Sequence, residues 1–120
     1  MALVLIADDS PTDQHILSRA LQQQGFETVT AEDGEEAIRL AEQRTPDVIL
    51  MDIVMPGMDG YQACRKLAVD PLTRAIPVVF VSTKCQRADQ VWARMQGGKA
   101  LIGKPFSDAQ VLDALRFAVR

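Results

Sequence analysis

The 120-residue chain is poor in most of the features that announce a particular chemistry. It carries two cysteines, Cys64 and Cys85, with no metal-like spacing, and a single histidine. That argues against a thiolate metal centre and favours two free thiols in a reducing compartment over a disulfide. Aromatic residues make up only 5%, and no basic run interleaves with them. With a formal net charge of -3, nucleic acid is not an expected partner. The longest apolar stretches, around residues 3–7 and 78–81, are far too short to cross a bilayer. No basic segment precedes the first of them, so neither a secretory signal nor membrane insertion is expected. The expected location is cytoplasmic.

What is present has the balance of an ordinary globular protein: 48% hydrophobic and 24% charged residues, enough for one domain over residues 1–120. There is no repeat, low-complexity tract or linker, and no output domain is expected. Residues 3–7 form an apolar run that stops on Asp8-Asp9. Ser10-Pro11-Thr12-Asp13 then reads as a helix start, with Ser10 capping, Pro11 first and acidic Asp13 third. Ile16, Leu17, Ala20 and Leu21 follow at helical spacing until Gly25. Residues 26–31 alternate loosely, as an outer strand would, and a second helix opens at Asp33 and breaks at Pro46. The apolar run 48–52 ends on Asp52, and a proline–glycine loop follows over 55–60. A third helix is predicted over 61–68 and a buried strand over 76–81, ending on Ser82-Thr83-Lys84. A fourth helix over 87–95 stops at Gly97-Gly98, and a short strand over 100–102 ends near Lys104-Pro105. Ser107 and Gln110 make a capping box for the last helix, whose apolar stripe is Val111, Leu112, Leu115 and Val119. Strand then helix, five times over, predicts an α/β fold with a parallel sheet covered on both faces.

In such sheets ligands bind beyond the carboxyl ends of the strands. Asp8-Asp9, Asp52, Ser82-Thr83 and Lys104 all fall at that edge. Three carboxylates held together repel one another unless a cation joins them. Hard carboxylate oxygens suit Mg²⁺ or Mn²⁺, and Mg²⁺ recruits phosphate oxygens. The Ser82 hydroxyl and the Lys104 charge complete a set able to hold a phosphoryl group. Each has a plainer reading alone. Asp8-Asp9 could be a helix lead-in, Asp52 a turn residue, Ser82-Thr83 the cap of the fourth helix, and Lys104 a solvated lysine. Their convergence on one edge favours the phosphoryl pocket.

These residues resemble the signature of response-regulator receiver domains (CheY-like), the phosphoacceptor partners of sensor histidine kinases. The likeness runs through Leu-Ile-Ala-Asp-Asp-Ser at 5–10, Pro-Asp-Val-Ile-Leu-Met-Asp-Ile-Val-Met-Pro-Gly-Met-Asp-Gly at 46–60 and Lys-Pro-Phe at 104–106. The resemblance implies a flavodoxin/CheY-like (βα)5 fold, a five-stranded parallel sheet of order 2-1-3-4-5. It implies that Asp52 is the phosphorylated carboxylate, and that Asp8, Asp9, Asp52 and the backbone carbonyl of Val54 hold Mg²⁺. Ser82 would contact the phosphoryl group, Lys104 would pair with it, and a cis peptide would precede Pro105. The Asp-Ile-Val-Met-Pro-Gly stretch, Gly-Tyr-Gln-Ala and residues 90–97 resemble the stand-alone PilH-type regulators of type IV pilus twitching motility. Two positions depart from the pattern. Leu101 occupies the place of an aromatic switch residue, so the coupling is weakened or carried by a group such as Trp92, which otherwise reads as an anchor packing the fourth helix. Val54 cannot orient an attacking water, which implies slow phosphoryl hydrolysis, and Lys84 lies near the same mouth as a second rate-tuning residue.

The expected function is a signalling switch, not an enzyme beyond slow autodephosphorylation. A CheA-like histidine kinase donates to Asp52, and the modified state repacks a target-binding face of the fourth helix, fifth strand and fifth helix. Two other classes compete: a receiver-like adaptor that works without phosphorylation, and a Mg²⁺-dependent phosphohydrolase, which would want a general acid where Val54 is. A flavodoxin-like cofactor role fares worst, because no glycine-rich phosphate loop follows the first strand.

Overall fold

The apolar runs form five strands: β1 (Leu3–Ala7), β2 (Glu27–Ala31), β3 (Val48–Asp52), β4 (Val78–Ser82) and β5 (Ala100–Gly103). The amphipathic segments form α1 (Pro11–Gln23), α2 (Gly34–Arg44), α3 (Gly60–Val69), α4 (Arg87–Met95) and α5 (Asp108–Ala118). The computed structural model describes residues 2–119. All four strand pairings are parallel, in the order β2-β1-β3-β4-β5 that the resemblance implies. β4 begins at Val78, later than the apolar run. Pro77 has no N–H to give a ladder, although its carbonyl still accepts from the Ile49 N–H at 2.9 Å.

Side chains alternate across a strand, so each apolar run feeds two cores. Val4, Ile6, Val48, Leu50, Val79, Val81 and Ile102 face α1 and α5, against Leu17, Leu21, Val111 and Leu115. Leu5, Ile49, Met51, Phe80 and Leu101 face the other way, against Ala37 and Ala41 of α2, Ala63 and Leu67 of α3 and Ala93 of α4. Burial on both faces explains why the central strands read as unbroken hydrophobic runs.

Three expectations about the helices change. Val119 is 53% exposed, and Ala118 closes the α5 stripe instead. At about 100° per residue, Ala118 lies about 20° around the helix from Val111 and Val119 about 80°. Ile16 keeps the helical spacing of its neighbours yet lies on the outer side of α1, 46% exposed. Trp92 is not a packing anchor: it is 49% exposed, and Ala93 is the residue α4 buries. The indole instead meets Tyr61 edge-on, ring centroids 6.5 Å apart.

Candidate functional site

The strand order reverses between β1 and β3, which opens a crevice at their carboxyl ends. Asp8 and Asp9 follow β1 and Asp52 ends β3, so both strands deliver carboxylates to that crevice. One oxygen from each of the three lies within 4.8 Å of the others. Gly60 holds the floor tight: its N–H donates to the Ile53 carbonyl at 2.8 Å. A Cβ there would lie 2.2 Å from the Asp52 carbonyl oxygen, so no larger residue allows α3 to start so close.

Lys104 reaches in from the end of β5. Its Nζ donates to Asp8 Oδ2 at 3.0 Å, to Asp13 Oδ2 at 3.0 Å and to Asp52 Oδ2 at 3.3 Å. Each of its three ammonium protons therefore has a carboxylate. The side chain is only 14% exposed, which rules out the reading of Lys104 as a solvated surface lysine. Asp8 is both a helix lead-in and a pocket residue, because its second oxygen accepts from the Ser10 N–H at 2.9 Å. Gln14 fastens α1 to the strand edge by donating to the carbonyls of Asp8 and Ala31.

The electrostatics follow from this packing. Burial raises the Asp52 carboxyl above its ordinary value. The Lys104 charge opposes that rise, the Asp8 charge adds to it, and hydrogen bonds from Lys104 and the Val54 backbone hold it back. For Lys104, burial pulls the ammonium down. Hydrogen bonds to Asp13 and Asp8, with the charges of Asp52 and Asp8, outweigh it and leave Lys104 above its ordinary value. An all-oxygen donor set, with only one ammonium among these carboxylates, fits a hard divalent cation such as Mg²⁺ or Mn²⁺.

Residues 4–116 match the response regulator receiver domain. The chain belongs to the response-regulator receiver family. It is 45% identical to protein PilH of Pseudomonas aeruginosa, over 96% of this chain and 95% of that one. The solved chemotaxis protein CheY4 of Vibrio cholerae superposes with a TM-score of 0.91 at 30% identity, over 98% of each chain. The receiver domain of the sensor histidine kinase PA1611 of Pseudomonas aeruginosa, solved with a magnesium ion coordinated in its active-site cleft, gives 0.90 at 27% identity. It covers 98% of this chain and 97% of that one. Receivers are signalling domains rather than classical enzymes.

The remaining residues singled out in the sequence are Ser82, Lys84, Val54, Leu101 and Pro105. Ser82 is buried at the end of β4, and its Oγ accepts from the Lys84 N–H at 3.1 Å. The cap reading of Ser82-Thr83 does not hold. Helix α4 starts later, at Arg87, where Gln86 caps it and its N–H donates to Asp89 at 3.0 Å. Lys84, two residues beyond Ser82, is exposed, and Val54, two beyond Asp52, is 65% exposed. Leu101 is buried as the register partner of Phe80, and its carbonyl accepts from Gln90 Nε2 at 3.2 Å. The Lys104–Pro105 peptide is cis, as the resemblance implies.

Asp13 escaped the sequence reading, which saw only a helix-start acid. The available signal was its position on the first turn of a helix that begins at the same sheet edge. Among the described residues the two cysteines are free thiols, Cys64 buried and Cys85 exposed.

Proposed function

We propose that this receiver takes a phosphoryl group from a CheA-like histidine kinase onto Asp52 and passes the signal to a protein partner. The observation that carries the reading is the Asp8–Asp9–Asp52 cluster with the Lys104 ammonium inside it, at the crevice between β1 and β3. An Asp52 carboxylate oxygen attacks phosphorus in line, and the P–N bond to the kinase imidazole breaks. The electron pair stays on the ring nitrogen. Burial strips water from the carboxylate, and Lys104 can transfer its Asp52 hydrogen bond to a phosphoryl oxygen as charge moves there. Lys104 stays charged across the physiological range, because its pKa is raised. Ser82 Oγ accepts from Lys84, so its own proton is free for the phosphoryl group. Asp8, Asp9, Asp52 and the Val54 carbonyl would hold Mg²⁺ or Mn²⁺, which when bound offsets the charge of the phosphoryl oxygens.

Output is assigned to the α4–β5–α5 face. A groove of about 530 Å³ there is lined by Cys85, Gln90, Leu101, Gly103, Gln110 and Asp113. With Leu101 buried and Trp92 outside, phosphorylation acts on this face through the Ser82–Lys84 backbone contact rather than through an inward-swinging ring. The likeness to PilH supports a place in chemotaxis-like control of type IV pilus motility, in the cytoplasm.

Acetyl phosphate with Mg²⁺ tests the acceptor reading. Intact mass spectrometry should give one phosphoryl group per wild-type chain and none on Asp52→Asn. Label on the variant, or many turnovers of acetyl phosphate without a labelled protein, would overturn it.

A further inference from the structure

We propose that Asp13 is a positioning residue that holds the Lys104 ammonium at the acid cluster while Asp52 takes up its phosphoryl group. The inference rests on the acceptor reading above. Lys104 Nζ has three carboxylate partners, Asp8 and Asp13 at 3.0 Å and Asp52 at 3.3 Å. In that reaction two of them change state: Asp52 becomes an acyl phosphate, and Asp8 serves as a metal ligand. Asp13 alone keeps the same charge and bonds throughout.

The location of Asp13 suits this task. It sits in the first turn of α1, where its N–H donates to the capping Ser10 Oγ at 3.3 Å, so its backbone is set by the helix start. Its carboxylate is 33% exposed and lies on the outer side of the ammonium. Together with Thr83, Lys104, Pro105 and Phe106 it lines a groove of about 350 Å³ at the mouth of the site. An ammonium held only by Asp8 and Asp52 would settle among the oxygens that a divalent cation needs. One held by neither would swing out on its flexible four-carbon stem. A carboxylate carried on a rigid helix turn prevents both, and spares the ordering cost of the lysine at the transition state.

With acetyl phosphate the Asp52 oxygen–phosphorus bond forms, and the bond from phosphorus to the acetate oxygen breaks. The electron pair leaves with acetate. One Lys104 N–H turns from Asp52 to a phosphoryl oxygen, and a second stays on Asp13.

The test measures the rate of Asp52 labelling at saturating Mg²⁺ in five proteins: wild type, Asp13→Asn, Asp13→Glu, Lys104→Met and the Asp13→Asn, Lys104→Met double variant. Asp13→Asn should label roughly five- to tenfold more slowly, the effect of one charge-assisted hydrogen bond at a partly exposed site. Asp13→Glu should recover most of the rate. In the Lys104→Met background Asp13→Asn should add no further slowing. Independently of labelling, the side-chain ¹⁵N resonance of the Lys104 ammonium in the metal-free protein should broaden in Asp13→Asn, as its protons exchange faster with water. Wild-type labelling by Asp13→Asn overturns the inference, as does equal slowing with and without Lys104, which would make Asp13 a field effect only. A wild type that takes no label overturns the acceptor reading itself. A labelled wild type beside an unaffected Asp13→Asn overturns this inference alone.

Discussion

Replacing Lys104 by methionine keeps the apolar stem and removes the only cation that contacts Asp8, Asp13 and Asp52 among the described residues. The carboxylates then face one another without it, with Asp8 only 2% exposed and Asp52 12% exposed. Breaking a buried ion pair from one side costs about 3–5 kcal/mol. The lower end applies here, about 3 kcal/mol, because Asp13 and Asp9 still reach water. For a domain of this size that is a fall in melting temperature of roughly 10 °C, read by circular dichroism in EDTA at pH 7. Two further measurements follow. Mg²⁺ at about a hundred times its dissociation constant should return roughly 2–3 kcal/mol to the variant, since the cation replaces the missing charge. Acid should also narrow the gap. Losing Lys104 removes the two largest influences that hold the Asp52 pKa down, leaving burial and Asp8 to push it further up. A carboxyl whose folded pKa is raised favours the fold below its unfolded value, and that advantage is lost as pH rises through the folded value. The deficit of the variant is therefore largest near neutrality and shrinks as pH falls toward the carboxylate range. A Lys104→Met protein that melts like wild type in EDTA at pH 7 would refute the reasoning.

Asp52→Asn should raise the melting temperature in EDTA by roughly 3 °C, because ionising a carboxyl whose pKa burial has raised works against folding at neutral pH. An unchanged or lower value would mean that the Lys104 bond outweighs that burial. Val54→Asn should shorten the lifetime of the acyl phosphate several-fold, since Val54 is 65% exposed at the mouth and an amide there can orient water; equal or slower decay counts against it. Cys85 is exposed and should alkylate readily in the native protein. Cys64, pushed up to about 11 by burial with Arg65 opposing weakly, should stay unmodified until the protein unfolds. Mass mapping after a short pulse of iodoacetamide separates the two.

The residues alone determine the sheet and the acid cluster, and the reason is local. Continuous apolar runs such as Val48 to Met51 suit only strands buried on both sides. Each run ends on the residue that enters the site, and parallel strands carry those ends to one edge whatever lies between. Asp8, Asp52, Ser82 and Lys104 could thus be grouped from the order of elements. The strand order itself and the cis peptide at Pro105 came through family resemblance rather than through any spacing. Tertiary structure alone decided what each side chain touches there. Asp13 and Lys104 are 91 residues apart in sequence, and nothing in either neighbourhood says that helix α1 delivers a third carboxylate to that ammonium. The same holds for Trp92, which meets Tyr61 edge-on and stays half exposed, and for Val119, which a fraction of a helical turn puts outside. Periodicity selects a face. Which groups fill that face depends on shape and charge contributed by distant segments, and that is settled only when the chain closes on itself.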